Sequence, residues 1–115
     1  MAGLSEAGQN AAADAVAALG DYVSLHSADP GSTGASELAG SGYARQACTW
    51  DSADDGEAAL AAEEEFDVPA GTVAYFGVWT ESTGGTFLGG GALSASEVFT
   101  GAGTYRLTGA TITVT

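Results

Sequence analysis

The catalytic potential of this chain rests on one histidine. His26 follows Ser24 at strand spacing and precedes Asp29, so the residue types of a nucleophile, base and acid fall close together. Alternate strand residues share a face but fix no base-to-nucleophile geometry, so His26 is expected at solvent or capping a loop. A Gly-x-Ser-x-Gly elbow is missing, and without any lysine there is no lysine-dependent nucleophile site. Asp51, Asp55 and Gly56 match the first, fifth and sixth positions of a calcium loop, but Ala53 and Ala62 stand at the third and twelfth, where ligands are required. Residues 51–57 therefore read as a solvated acidic turn, with weak, nonspecific cation binding expected at most in high salt. Glycines at 84, 85 and 89–91 precede neither a lysine nor a helix start, so they are expected to bend strands rather than hold phosphate. Trp50, Trp79, Tyr75 and Phe76 read as core aromatics ahead of a sugar or partner platform. Cys48 is the one cysteine, excluding an intrachain disulfide and reading as a small buried hydrophobe. No catalytic residue, cofactor site or metal site is assigned, and the chain is expected not to be an enzyme.

The elements that would position these residues are mostly strands. Residues 4–19 are the one helical segment, with Ser5 as N-cap, Glu6 in the first turn and Gly20 at a left-handed C-terminal cap. Ala12, Val16 and Leu19 form a stripe of mostly small side chains, which must lie on the domain's own sheet or on a neighbour. From Asp21 the period becomes two: 22–26 alternates, 28–42 is a turn-rich loop, and 43–50 resumes as a strand. Residues 58–68 read as one exposed or edge strand carrying Glu63, Glu64 and Glu65. Residues 72–79 are rich in β-branched and aromatic side chains and form a central strand. A hairpin at 82–85 leads into 86–88, Gly89–Gly91 break or bulge that strand, and 93–99, 104–108 and 110–115 follow as strands or loops. The expected fold is mainly β, an antiparallel, jelly-roll-like β-sandwich with one N-terminal α-helix. Residues 1–20 would be the helix and 21–115 the sandwich, a single domain overall.

Charge narrows the partners. Fifteen acids face two cations, Arg45 and Arg106, for a formal net charge of −13. Such a chain has no basic patch for nucleic acid and no attraction to an anionic membrane. The absence of lysine suits a protein of a salt-saturated cytoplasm, where a Debye length of about 3 Å at 1 M salt screens self-repulsion. No stretch reaches the apolar length of a membrane span and no basic-then-apolar leader opens the chain, so it reads as a soluble product of the cytoplasm. Both chain ends are expected to be packed, against another subunit.

Taken along its length, the chain resembles small virion proteins of tailed viruses of bacteria and archaea, labelled tail-fibre or minor structural proteins. The resemblance is carried by Gly3-Leu4-Ser5, Tyr22-Val-Ser-Leu-His-Ser-Ala-Asp-Pro-Gly31, Thr33-Gly-Ala-Ser-Glu37, Gly42-Tyr-Ala-Arg45, Phe76-Gly-Val-Trp79 and Thr83 through Leu93. An alanine-heavy helix and the additional acids at 51–67 depart from that pattern and fit a haloarchaeal host. The resemblance implies a β-rich, non-enzymatic building block located in the virion after assembly in the host cytoplasm. Three roles stay open: a capsid-surface decoration or turret subunit, which is the main reading; a tail-fibre or baseplate subunit contacting the host; and a non-viral soluble β-sandwich binding module. The acidic charge suits the particle's exterior, where both virion roles lie, and does not separate them. Expected partners are further copies of the chain, as a homo-oligomer, and other virion proteins. Leu4, Val16 and Leu19 on the helix, with Arg45 and Arg106, are the candidate interface residues. Each arginine is expected to pair with carboxylates, inside the domain or across an interface.

Overall fold

A computed structural model describes residues 3–114; the two chain ends, for which packing was expected, lie outside the described residues. The order is α1 (Glu6–Leu19), β1 (Tyr22–His26), β2 (Gln46–Ala47), β3 (Glu57–Ala59), β4 (Glu64–Val68), β5 (Gly71–Trp79), β6 (Phe87–Phe99), β7 (Gly103–Leu107) and β8 (Thr111–Thr113). The fold is mainly β and antiparallel, with its helix at the N-terminal end. A four-stranded sheet runs β2-β1-β5-β6, and β3-β8 and β4-β7 form two separate ribbons. Among the described residues no helix is long and apolar enough to cross a membrane.

Alternation divides the residues of β1 and β5 between two faces. Val23 and Leu25 of β1 lie beside Val78 and Phe76 of β5, while Ser24 and His26 lie beside Gly77 and Tyr75 on the opposite face. The first face packs with Phe66, Val68, Leu107, Ala58 and Ile112 from the ribbons, giving a sandwich-like core. The helix lies on β3 and β8 and adds Ala13, Val16 and Ala17 to this core. Asn10 Oδ1 and Asp14 Oδ1 accept hydrogen bonds from the backbone N–H groups of Gly56 and Ala53, which ties α1 to the acidic turn by polar contacts. These bonds supplement the small area that an alanine stripe buries.

Several local expectations are corrected. The buried helix residue is Ala13, and Leu19 stands 58% exposed because its position rotates off the packed stripe. Gly20 caps the helix at φ −84°, outside the left-handed region, with its N–H bonded to the Val16 carbonyl. Residues 43–50 hold only the two-residue β2, since Tyr43 and Arg45 point their side chains into bonds with the preceding loop instead. Residues 58–68 divide into β3 and β4, which pair with different partners, so no single edge strand exists there. Conversely, 87–99 is one strand. Gly89, Gly90 and Gly91 stay in register with Val78, Gly77 and Phe76, and the irregularities fall at Leu88 and at 93–96, which stand against the single residue Ala74.

Candidate functional site

The second face of the four-stranded sheet is closed by the loop between β1 and β2. Pro30 is buried, and a turn at 30–36 is held by the N–H groups of Gly34 and Ala35 on the Pro30 carbonyl. Asp29 Oδ1 accepts from the Gly31 N–H, an Asx turn that enters this bend. Ser27 N–H to the Ser36 carbonyl and Leu38 N–H to the Leu25 carbonyl then lay the loop along the edge of β1 beyond the short β2. Tyr43 completes that edge, its hydroxyl accepting from the Leu25 N–H at 2.9 Å. The backbone groups that a longer β2 would have paired are satisfied by this loop.

Under it lies a proton-ordered chain. Trp79 Nε1 donates to Ser24 Oγ at 2.8 Å, Ser24 Oγ lies 2.7 Å from His26 Nε2, and His26 Nδ1 lies 2.7 Å from the Ala35 carbonyl oxygen. A carbonyl only accepts, so the neutral imidazole carries its proton on Nδ1, and Nε2 accepts from the Ser24 hydroxyl. Burial pushes the His26 pKa below its ordinary value, outweighing the Ala35 hydrogen bond and the nearby Glu37 carboxylate, so the ring is held neutral. Ser24 and His26 are both 0% exposed, which corrects the expectation of a pair without fixed geometry and, of the two placements expected for His26, the one at solvent; its bond to the Ala35 carbonyl agrees with the other, at a loop. The pair has hydroxyl-to-imidazole geometry but no access for a reactant, and it serves to join sheet and loop. Gly77 makes room for it, because a Cβ there would stand 2.5 Å from Ser24 Oγ and 2.7 Å from His26 Nε2.

Above Trp79 sits Arg45, with its side chain 9% exposed. Its guanidinium carbon lies 3.5 Å from the ring centroid of Trp79. Nε and Nη2 donate to the two oxygens of Glu37 at 3.0 and 2.9 Å, a bidentate pair, while Nη1 donates to the Glu81 and Gly84 carbonyls at 3.1 and 2.8 Å. Glu37 also accepts from the Tyr43 hydroxyl at 2.9 Å. One side chain thus fastens the 27–45 loop to the hairpin that joins β5 to β6. With its donors so engaged, Arg45 has little capacity left to bind an anion. Gly34, at φ +78°, lies flat on Trp79, where a Cβ would approach Cζ2 to 2.5 Å. Among the described residues every buried side-chain nitrogen or oxygen has a partner.

The remaining candidates do not gather here. Arg106 is 60% exposed on β7, 3.2 Å from Glu65 and 3.8 Å from Glu63 across the β4-β7 ribbon. Leu4 is 53% exposed, and Val16 is half-buried on the core. Asp54 and Asp55 form a tight turn with Gly56 and approach Glu6 as an exposed carboxylate cluster, whereas Asp51 stands outside it. Trp79 and Phe76 are buried, whereas Trp50 is half-buried and donates to the Gly20 carbonyl at 2.8 Å. Burial pushes the Cys48 thiol up to about 12, so no reactive thiolate forms near neutral pH. Glu37 and Tyr43 were not singled out as site residues from sequence. The signal was available, since an arginine scarce among 15 acids demands a specific carboxylate, and Glu37 and Tyr43 lie in the motif blocks beside it.

Four of the six segments that carried the resemblance, Tyr22–Gly31, Thr33–Glu37, Gly42–Arg45 and Phe76–Trp79, therefore supply residues to one polar cluster, whereas Gly3–Ser5 lies at the start of the helix. Comparison with known families gives a match over residues 7–115 to the family described as podophage GP4 fiber I protein gp80. No curated protein matches.

Proposed function

The chain belongs to the podophage GP4 fiber I protein gp80 family, and from that premise we propose that it is a structural subunit of the tail fibre of a tailed virus. The observation that carries this reading is the family match, which spans all but the first six residues. It favours the fibre alternative over the capsid-surface decoration or turret role. The subunit acts by holding shape and contacting other virion components rather than by catalysis, a reading supported by the closure of the Ser24–His26 pair to reactants. The bonded loop and hairpin give it a rigid face at the Arg45 end of the molecule. A halophilic host is supported by the acidic, lysine-free composition. Mass spectrometry of purified virions should detect the chain at structural copy number, and antibody labelling in electron micrographs should decorate the tail. Label confined to the head would restore the capsid reading, and absence from the particle would leave the non-viral binding module.

A further inference from the structure

Asp55–Gly56 is the one place in this chain where an aspartate precedes a glycine, and the single asparagine, Asn10, precedes an alanine. A following residue without Cβ leaves the backbone nitrogen open to the aspartate side chain, so this step is the least hindered toward isoaspartate formation. In that rearrangement the Gly56 nitrogen attacks Cγ of the protonated Asp55 carboxyl, one water leaves, and a five-membered succinimide forms. Water then adds back. Addition at Cγ restores aspartate, whereas addition at the Asp55 main-chain carbonyl leaves the backbone running through the side chain. The cycle loses one water and regains one, and it needs no oxidant or co-reactant.

The fold fixes the attacking nitrogen from three sides. Asp54 and Glu57 exchange both backbone hydrogen bonds, at 2.8 and 3.0 Å, closing a two-residue turn with Asp55 at φ +52° and Gly56 at φ +74°. Val114 N–H donates to the Gly56 carbonyl at 2.9 Å. The Gly56 N–H itself donates to Asn10 Oδ1 of α1 at 2.7 Å, and Gly56 is buried against that helix while Asp55 stays exposed.

We infer that Asp55–Gly56 is this chain's site of isoaspartate formation and that Asn10 restrains the reaction by keeping the Gly56 N–H bonded to the helix. To reach Cγ, the Gly56 amide must rotate about the Asp55 main chain, which breaks the Asn10 bond and swings the Gly56 carbonyl away from Val114. A buried N–H is then left without a partner, so the reactive conformer is sparsely populated while α1 stays docked. Rearrangement in turn lengthens the backbone at Asp55 by one carbon, and the turn that joins β3 to the helix loses its geometry. Damage here and release of α1 are therefore coupled, and this chemistry is independent of the fibre reading.

Ageing of the full chain in molar KCl at neutral pH, below its melting temperature, tests this. Trypsin can cleave only after Arg45 and Arg106, so every aspartate falls in peptides 1–45 and 46–106, where electron-transfer fragmentation locates isoaspartate. Wild type should accumulate it at Asp55 before any other aspartate, and denaturing urea should speed this roughly tenfold or more. Asn10→Ala should raise the folded rate roughly threefold to tenfold, the change in open population that losing one hydrogen bond gives. Asp14→Ala removes the other helix-to-turn bond, to Ala53, and should raise the rate less. Where Asn10→Ala fails to fold, Asn10→Ser takes its place, polar but one bond too short to reach Gly56. Isoaspartate arising first at another aspartate, an Asn10→Ala rate equal to or below wild type, or an equal rise in Asp14→Ala would overturn the inference.

Discussion

Where β1 pairs with β5, the two faces of the four-stranded sheet are both shielded from water, and they are shielded by different physics. On one, Val23, Leu25, Phe76 and Val78 pack against the ribbons with no polar atom to satisfy. Such a face tolerates exchange between side chains of similar volume, because dispersion and burial are not directional. On the other, Ser24, His26, Trp79 and Arg45 are each held by partners at defined distances. Removing one member there strands another in a low-dielectric site, so the cost is set by the group left behind. The comparison teaches that equal burial does not mean equal tolerance to substitution.

The largest expected effect separates the faces directly. Arg45→Ala leaves Glu37 half-buried without its ion partner and should destabilise by about 3–5 kcal/mol, whereas Leu25→Met on the apolar face should cost less than about 1.5 kcal/mol. Urea unfolding midpoints of the two variants measure this. Equal losses would erase the distinction between the faces.

Next in size is Gly77→Ala, whose added methyl meets the Ser24 hydroxyl and the His26 imidazole. Overpacking of this kind should cost about 1–3 kcal/mol, and Gly77→Ala made together with Ser24→Gly should recover part of it. Independent, additive losses in the double variant would mean that the two groups do not collide.

A smaller effect concerns acid. Because the folded pKa of His26 lies below its ordinary 6.5, the folded state binds fewer protons than the unfolded one. The contribution of His26 is therefore fully present above pH 6.5 and is lost as pH falls from there through the folded pKa. A proton on Nε2 would also meet the Ser24 hydroxyl proton and loosen the loop. Thermal melts between pH 7.5 and 5 should show wild type losing more stability than His26→Gln; parallel curves would remove His26 as the sensor. Apolar-face substitutions should leave the pH profile unaltered.

The smallest effect is expected at the exposed ribbon, which belongs to neither face. Arg106→Ala should change stability by no more than about 1 kcal/mol, since its pairs with Glu63 and Glu65 are solvent-exposed. Melting temperature should still rise from dilute buffer to molar KCl, because eight of the 15 acids lie between Asp51 and Asp67. Replacing Glu63 and Glu65 with Gln should flatten that rise. A flat salt response in the wild type would withdraw the physical support for a halophilic origin.

Much of this molecule was legible from residue order. The alternation at 22–26, the β-branched run at 72–79, Ser5 before the helix and the acidic turn at 51–57 are local patterns, and each became the element expected of it. Local patterning was weakest where pairing partners are distant. Nothing within 58–68 shows that its two halves join different ribbons, and the glycines of β6 mimic a break that long-range pairing with β5 overrides.

Sequence by itself determined the net charge, the mainly antiparallel β class, the lone histidine and the motif blocks that carry the family likeness. Tertiary structure alone decided that His26 is buried, that its two nitrogens have opposite roles, and that Arg45 reaches carbonyls 36 and 39 residues away. The physical reason is range. Periodicity and propensity act over a few neighbouring residues, whereas a proton's position and a buried ion's partner depend on groups that meet only after the loop folds over the sheet.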